Sequence, residues 1–225
     1  MLAALLAGLL LFQQTPVDVA LDPGHSRADI GAAAGGLREY QLTLDLARRV
    51  RVRLEAAHRS VRLTRQDDQP LTAYTNPLDV GQIEAEQDAR LAAAGQARVY
   101  VSLHFNGGPT SLRGTETYFN PERAPDASVA DQTLAWLLQR DVVGALASEA
   151  GYAAVDRGVK SDLAAGKSYG HFFNLRGPEP SALVENLFLS NPDDAAMLRD
   201  DATLEALADG CAQGLLDYFA GASAD

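Results

Sequence analysis

The chain is poor in basic residues and nearly free of cysteine. It carries 19 lysines and arginines against 30 aspartates and glutamates, a formal net charge of −11 over 225 residues. Nucleic-acid binding draws on clustered lysine and arginine, so this balance argues against a nucleic-acid partner. The single cysteine, Cys211, excludes an internal disulfide, and its apolar helical surroundings predict a packed thiol rather than a nucleophile.

Long hydrophobic runs are also absent. The longest, about a dozen residues within MLAALLAGLLLFQQT, is too short to cross a bilayer as a helix, which takes about 20 residues, so we expect no integral membrane domain. The run resembles the hydrophobic region of an export signal, although it lacks a basic start and a clear A-x-A cleavage site. The alternative is a first buried strand or helix. We therefore expect a leader at 1–15, one domain at 16–220, a short tail at 221–225, and a protein exported to the periplasm or cell envelope.

After Pro16, short β-type runs alternate with amphipathic helical stretches, a pattern typical of a parallel sheet covered by helices. Strands are predicted at 17–22, 60–65, 99–103, 114–119 and 181–191. Helices are predicted at 39–57, 82–94, 128–151 and 201–219. Prolines, Asn76 and several aspartates predict an exposed loop at 66–80 that borders a cleft. The pattern predicts a single α/β domain with a mostly parallel, twisted sheet of about six strands and helices on both faces.

Four residues lie at positions where an α/β fold commonly carries ligand-binding or catalytic side chains. His25 and His104 directly follow predicted strands, and ligands of open α/β sheets collect beyond the strands' carboxyl ends. Glu39 opens the first long helix, and Glu185 lies inside an apolar strand, where a charge needs a cation, a proton or hydrogen bonds. Taken singly, His25 is explained as a turn histidine, Glu39 as a helix N-terminal charge and His104 as a strand-end residue. Together, two histidines and a carboxylate are a set that holds catalytic zinc and leaves one position open for water.

Seven motifs occur along the chain in a fixed order, and an ordered set is more specific than any one motif. They are LDPGHS, REYQLTLDLA, VRLTRQDD, YVSLHFNGG, GTETYF, DRGVK and ALVENLFLSN. This set resembles the zinc-dependent N-acetylmuramoyl-L-alanine amidases that cut bacterial cell wall, from about Val17 to the last helix. The resemblance implies one zinc ion held by His25, Glu39 and His104, with Glu185 as the catalytic base.

The resemblance also implies the reaction, hydrolysis of the amide between N-acetylmuramic acid and L-alanine, and the substrate, a peptidoglycan glycan strand with its stem peptide. Asn106, Arg176 and the 66–80 loop are candidates for the walls of an open groove. For His171, substrate contact and a plain surface position both stay open, as does an activator protein as a further partner. The family usually has glycines after its first histidine, whereas Ser26 and Arg27 stand here.

Two other functions remain as alternatives. A peptidoglycan-binding protein that has lost catalysis is expected to show erosion at a ligand or at the base, and none of the four positions is changed. A zinc carboxypeptidase acting on peptide ends is expected to bring its first two ligands together as H-x-x-E, but Arg27 and Ala28 follow His25 and Ser26 instead.

Overall fold

The computed structural model describes residues 15–221, so the predicted leader and tail lie outside the described residues apart from Thr15 and Gly221. The strands are β1 (Val17–Pro23), β2 (Ala33–Ala34), β3 (Leu37–Arg38), β4 (Val61–Leu63), β5 (Ala97–Asn106), β6 (Thr115–Phe119), β7 (Asp156–Ser161) and β8 (Ser181–Phe188). The helices are α1 (Glu39–Ala56), α2 (Val80–Ala94), α3 (Pro125–Ser148), α4 (Pro192–Met197) and α5 (Asp201–Gly221). Short 3₁₀ turns at Asp162–Ala165 and Phe173–Leu175 lie between β7 and β8. In this part of the chain, no helix combines the length and apolarity needed to cross a membrane.

Six strands form the main sheet in the order β4-β1-β5-β8-β6-β7, while β2 and β3 pair as a separate hairpin. All neighbours in the main sheet are parallel except β6 and β8, which run antiparallel. The predicted fold class is thereby confirmed. β7 was not predicted from the sequence, because this edge strand (DRGVKS) is partly exposed along its length and lacks apolar alternation.

Helices cover both faces of the sheet. α1, α3 and α5 share one large apolar cluster with one side of β1, including Val19 and Leu21. Ala20, between them, points the other way and packs with Tyr100 and Ala94 under α2, as expected from the two-residue period of a strand. Cys211 is buried in the large cluster, and this burial raises the pKa of its thiol to about 12. The predicted packed position of this thiol is thus confirmed.

Helices α3 and α5 approach each other closely because glycine stands at the contact. A Cβ atom on Gly210 would lie 2.6 Å from Cα of Val142, and one on Gly214 would lie 2.8 Å from Cα of Leu138. Neither backbone can move aside without separating the two helices. This contact anchors the helical layer that supports the strands carrying the site.

Candidate metal centre and active site

Three metal-ligating side chains meet at one edge of the sheet. His25 follows β1, His104 lies near the end of β5, and Glu39 is the first residue of α1. One ligand atom from each lies within 4.8 Å of the others. Because β1 and β5 are adjacent and parallel, their carboxyl ends bring both imidazoles to the same edge. The structure thus brings together the three residues that the sequence singled out, and their role as zinc ligands stays a prediction.

The carboxylate of Glu39 is the centre of this group. Its Oε1 lies 3.2 Å from Nε2 of His25 and 3.0 Å from Nδ1 of His104. The backbone N–H of Phe105 donates to Oε1 at 3.0 Å, and that of Ala32 donates to Oε2 at 2.7 Å. Burial by itself raises the pKa of a carboxyl, but the His25 charge and the hydrogen bond from His104 hold the pKa of Glu39 far below its usual range. The group is therefore a buried, fixed anion that faces two imidazoles.

His25 is oriented by a carboxylate that the sequence reasoning did not single out. Its Nδ1 lies 2.9 Å from Oδ2 of Asp29, four residues on, and Tyr74 donates to the same oxygen at 3.4 Å. This bond assigns the Nδ1–H tautomer to the neutral ring and directs Nε2 toward Glu39. Burial lowers the pKa of His25, but Glu39 and Asp29 outweigh it and raise the pKa to about 10. The spacing H-x-x-x-D was the signal that could have found Asp29.

We expect Asp29→Ala to weaken zinc binding by about 10- to 100-fold, because carboxylates that hold a ligating histidine have effects of this size. The measurement is competition with a chromophoric chelator at fixed pH. Asp67→Asn changes an exposed acid in the 66–80 loop. This variant is the matched control and should bind zinc with the affinity of the parent. Equal zinc affinity in Asp29→Ala and the parent would show that Asp29 does not support the site.

Two buried arginines hold the loop that carries His25. Arg65 donates to the carbonyl oxygens of Pro23 at 2.9 Å and Gly24 at 3.1 Å. Arg90 donates to the carbonyls of Pro23 and His25, both at 2.6 Å. Burial, together with the charge of Arg90, lowers the pKa of Arg65 to about 10. The backbone around the first histidine is therefore held by charged donors.

The second histidine is held by close packing. A Cβ on Gly24 would lie 2.3 Å from Cε1 of the His104 ring, so only glycine leaves room for that ring at the end of β1. The amide of Asn186 donates to the carbonyl of His104 at 2.9 Å. Ring and backbone of His104 are thus both constrained.

Glu185 lies on β8 directly beside this centre. It is in register with His104 of the neighbouring strand β5, and with Glu116 of β6 on its other side. Its Oε2 is buried and has no hydrogen-bond partner among the described residues. Burial, and then the negative charge of Glu39, raises the pKa of Glu185 well above its usual range. A carboxyl with an unpartnered oxygen in such a position is suited to exchange a proton with a bound molecule.

A cavity of about 230 Å³ opens over these groups, and His25, His104 and Glu185 all line it. Its walls come from the loop before α2, from α2 itself and from the segment after β7. The wall residues are Asp29, Tyr74, Pro77, Ile83, Gln87, Lys167, Tyr169, Phe172, Asn174 and Leu183. The predicted loop at 66–80 therefore borders the cavity through Tyr74 and Pro77. Lys167 and Tyr169 were not singled out, since nothing in their local pattern connects them to the strand ends.

The three residues suggested for substrate contact lie outside the lining of this cavity. Asn106 donates from Nδ2 to Oε1 of Glu116 at 2.7 Å. The Arg176 guanidinium lies 4.3 Å from the centroid of the Phe173 ring, on the exposed side of its 3₁₀ turn. His171 has a carboxylate at each ring nitrogen, Asp162 at 2.7 Å and Glu122 at 3.1 Å. Substrate contact by Asn106, Arg176 or His171 stays a prediction.

Comparison with known proteins shows which family this chain is similar to. A family model described as N-acetylmuramoyl-L-alanine amidase matches residues 19–217. The endolysin of Bacillus phage SPP1 is 31% identical over 202 residues, which cover 88% of this chain and 65% of the endolysin. The N-acetylmuramoyl-L-alanine amidase LytC of Bacillus subtilis strain 168 is 29% identical over 203 residues, which cover 88% of this chain but 35% of LytC. The chain thus spans less than two thirds of either relative.

A solved structure shows the same architecture. It is the catalytic domain of CwlV, an N-acetylmuramoyl-L-alanine amidase from Bacillus (Paenibacillus) polymyxa var. colistinus, and it superposes with a TM-score of 0.66 at 26% identity. The match covers 91% of this chain and 98% of that domain. The similarity therefore extends through the whole sheet and its helices.

Proposed function

This chain belongs to the N-acetylmuramoyl-L-alanine amidase family, and on that premise we propose that it is a zinc-dependent peptidoglycan hydrolase. The proposed reaction is hydrolysis of the amide that joins the lactyl group of N-acetylmuramic acid to L-alanine of the stem peptide. The observation that supports this most directly is one cavity lined by His25, His104 and the unpartnered carboxyl of Glu185. Neither alternative, a binding protein without catalysis nor a carboxypeptidase, has a comparable observation in its favour.

In this proposal His25, Glu39 and His104 hold the zinc ion. Nitrogen and carboxylate oxygen are ligands that zinc accepts, and catalytic zinc sites combine three protein ligands with one open position. The donor set fits: Asp29 occupies Nδ1 of His25, so Nε2 faces the other ligands, and Oε1 of Glu39 lies between the two rings. When bound, zinc supplies Lewis acidity, which lowers the pKa of a water molecule and polarises a carbonyl oxygen.

Glu185 moves the proton. Its carboxylate accepts a proton from the attacking water while the water oxygen bonds to the amide carbon. The carboxyl then passes the proton to the nitrogen of L-alanine as the carbon–nitrogen bond breaks, so the products are a muramic carboxyl group and a free amine. The hydrogen-bonded loop around His25 holds the reacting groups in position. This matters for the rate, because a displacement of about 1 Å can lower it about a hundredfold.

We further propose export to the cell envelope, where peptidoglycan lies, with 1–15 as the leader. The acidic balance of the chain offers no long-range attraction to an anionic wall, so short-range contacts or a partner must provide the affinity. An activator protein as partner stays a prediction.

Incubation of the purified protein with cell-wall sacculi, followed by labelling of new amino termini, tests the proposed reaction. We expect new L-alanine amino termini and intact glycan strands, and activity that is lost on chelation and restored by zinc. Release of free C-terminal residues would instead identify a carboxypeptidase. Binding to sacculi without any new terminus would identify a protein that has lost catalysis.

A further inference from the structure

A pair of cationic side chains holds Glu116, which neighbours Glu185 on the side away from the candidate metal ligands. Nε of Arg157 donates to Oε2 of Glu116 at 2.7 Å, and Nζ of Lys160 contacts the same oxygen. The other oxygen, Oε1, accepts hydrogen bonds from Asn106 at 2.7 Å and from the Tyr118 hydroxyl at 2.8 Å. Only 4% of the Glu116 side chain is exposed, so a buried, fully bonded anion fixes both cations in place.

These cations keep donors that the protein does not use. Within residues 15–221, neither terminal nitrogen of Arg157 has a hydrogen-bond partner, and Nζ of Lys160 has no hydrogen-bond or ion-pair partner besides Glu116. Their side chains are 23% and 29% exposed. The Arg157 guanidinium also lies 5.1 Å from the centroid of the Phe188 ring, which restricts its orientation. Arg157 and Lys160 carry two positive charges and Glu116 carries one negative charge, so the group has a net positive charge. Its unused donors are oriented and accessible, as in sites that bind a carboxylate.

The position of this pair relative to Glu185 follows from the sheet. Glu116 of β6 is directly opposite Glu185 of β8, and Glu185 is in register with His104 of β5. β7, which carries Arg157 and Lys160, is the strand after β6. Neighbouring strands lie about 4.8 Å apart, so the cations are on the order of 10 Å from the base. An extended peptide advances roughly 3.3–3.6 Å per residue, so L-alanine and the residue after it cover most of that distance, and the long cationic side chains cover the rest.

The charge identifies which part of the substrate faces this pair. The N-acetylated sugars of the glycan are neutral, and the carboxyl group of muramic acid forms the amide bond that is hydrolysed. Free carboxylates belong to the stem peptide beyond L-alanine. On the basis of the proposed function, we infer that Arg157 and Lys160 form the subsite for a stem-peptide carboxylate, that of the residue after L-alanine. The stem peptide then runs from Glu185 across β6 toward β7, and the glycan lies on the side of β1 and the loop before α2.

Lys167, which itself lines the cavity, is the rival cation, whereas Arg157 and Lys160 lie beyond the cavity lining. It is exposed, and no described residue holds it by a hydrogen bond or an ion pair. A free lysine side chain loses rotamer entropy when it binds, whereas Arg157 and Lys160 are already ordered by Glu116. The structure therefore favours the pair on β7.

The test compares two muropeptides that differ only at the residue after L-alanine, which carries either a free α-carboxylate or an α-carboxamide. For the parent enzyme we expect a KM about tenfold or more lower for the carboxylate, since hydrogen bonds to a charged group contribute at that level. In Arg157→Gln/Lys160→Gln, KM for the carboxylate should rise to the carboxamide value, with kcat nearly unchanged for both. Arg140→Gln, on α3 and paired with Asp141, is the control and should keep the parent's preference.

Three results would overturn the inference: no preference in the parent, an equal rise of KM for both substrates in the double variant, or loss of the preference in Lys167→Gln. The parent's preference is measured without any variant, so that part of the test does not depend on the folding of the double variant. If the double variant folds poorly, the single variants Arg157→Gln and Lys160→Gln replace it. Failure of the proposed function is a separate outcome, because the parent would then cleave neither muropeptide at the muramyl amide.

Discussion

Glu185→Gln is expected to lower kcat on peptidoglycan by about 10²- to 10⁴-fold, the contribution usual for general acid–base catalysis. Glutamine has nearly the same shape, but its amide cannot take a proton from water or return one to the leaving amine. Since burial already raises the pKa of Glu185, the uncharged amide should be tolerated in the strand. Zinc content and the free energy of unfolding should therefore remain close to those of the parent.

The measurements are release of L-alanine amino termini over time, zinc content by elemental analysis, and urea unfolding. Glu149→Gln is the control, since Glu149 is exposed at the end of α3, and it should keep full activity. If Glu185→Gln retained more than about a tenth of the parent's kcat, Glu185 would not be the base and another acceptor of the proton would have to be found.

Glu39→Gln is expected to abolish hydrolysis by a different route, through loss of the metal. Both carboxylate oxygens accept backbone hydrogen bonds, from Phe105 and from Ala32. An amide group places an N–H donor against one of these donors, and it also removes the negative charge between the two imidazoles. We expect zinc affinity to fall by more than about a hundredfold, beyond the usual effect of losing a group that only supports a ligand.

Chelator competition measures this affinity, and a chelated sample of the parent gives the reference for a metal-free enzyme. Stoichiometric zinc should restore activity to the parent but not to Glu39→Gln. Glu55→Gln, exposed on the same helix, should behave as the parent does. A Glu39→Gln protein that bound zinc with parental affinity would remove Glu39 from the ligand set.

The two variants separate metal binding from proton transfer. Glu185→Gln should contain zinc and fail in turnover, while Glu39→Gln should lack zinc and fail for that reason. This distinction matters because Glu39 and Glu185 lie close enough for the charge of one to raise the pKa of the other. Activity alone would not tell their roles apart.

Much of the candidate site could be predicted because its residues adjoin strongly apolar segments. His25 follows β1 and His104 lies near the end of β5, two strands whose buried residues are recognisable from composition alone, and Glu185 stands out as a charge inside such a strand. Parallel pairing of neighbouring strands then places their ends at one edge. Local pattern and a general rule of α/β topology were sufficient for these positions.

Other features depend on contacts between distant segments. β7 is a partly exposed edge strand without apolar alternation, so only its pairing with β6 makes it a strand. The antiparallel pairing of β6 with β8 brings Glu116 opposite Glu185, and β7 then adds Arg157 and Lys160. None of these neighbours can be deduced from sequence spacing, because the intervening loops and helices set no fixed distance.

The sequence by itself thus determined the fold class, the family and the residues at the strand ends, because apolar periodicity and ordered motifs are local properties. Only the tertiary structure decided which charges face one another: Asp29 behind His25, Arg65 and Arg90 under the loop, and the cationic pair on Glu116. The physical reason is that a buried or oriented charge is defined by its partners in space. Those partners come from strand order and helix packing, over separations that no local pattern encodes.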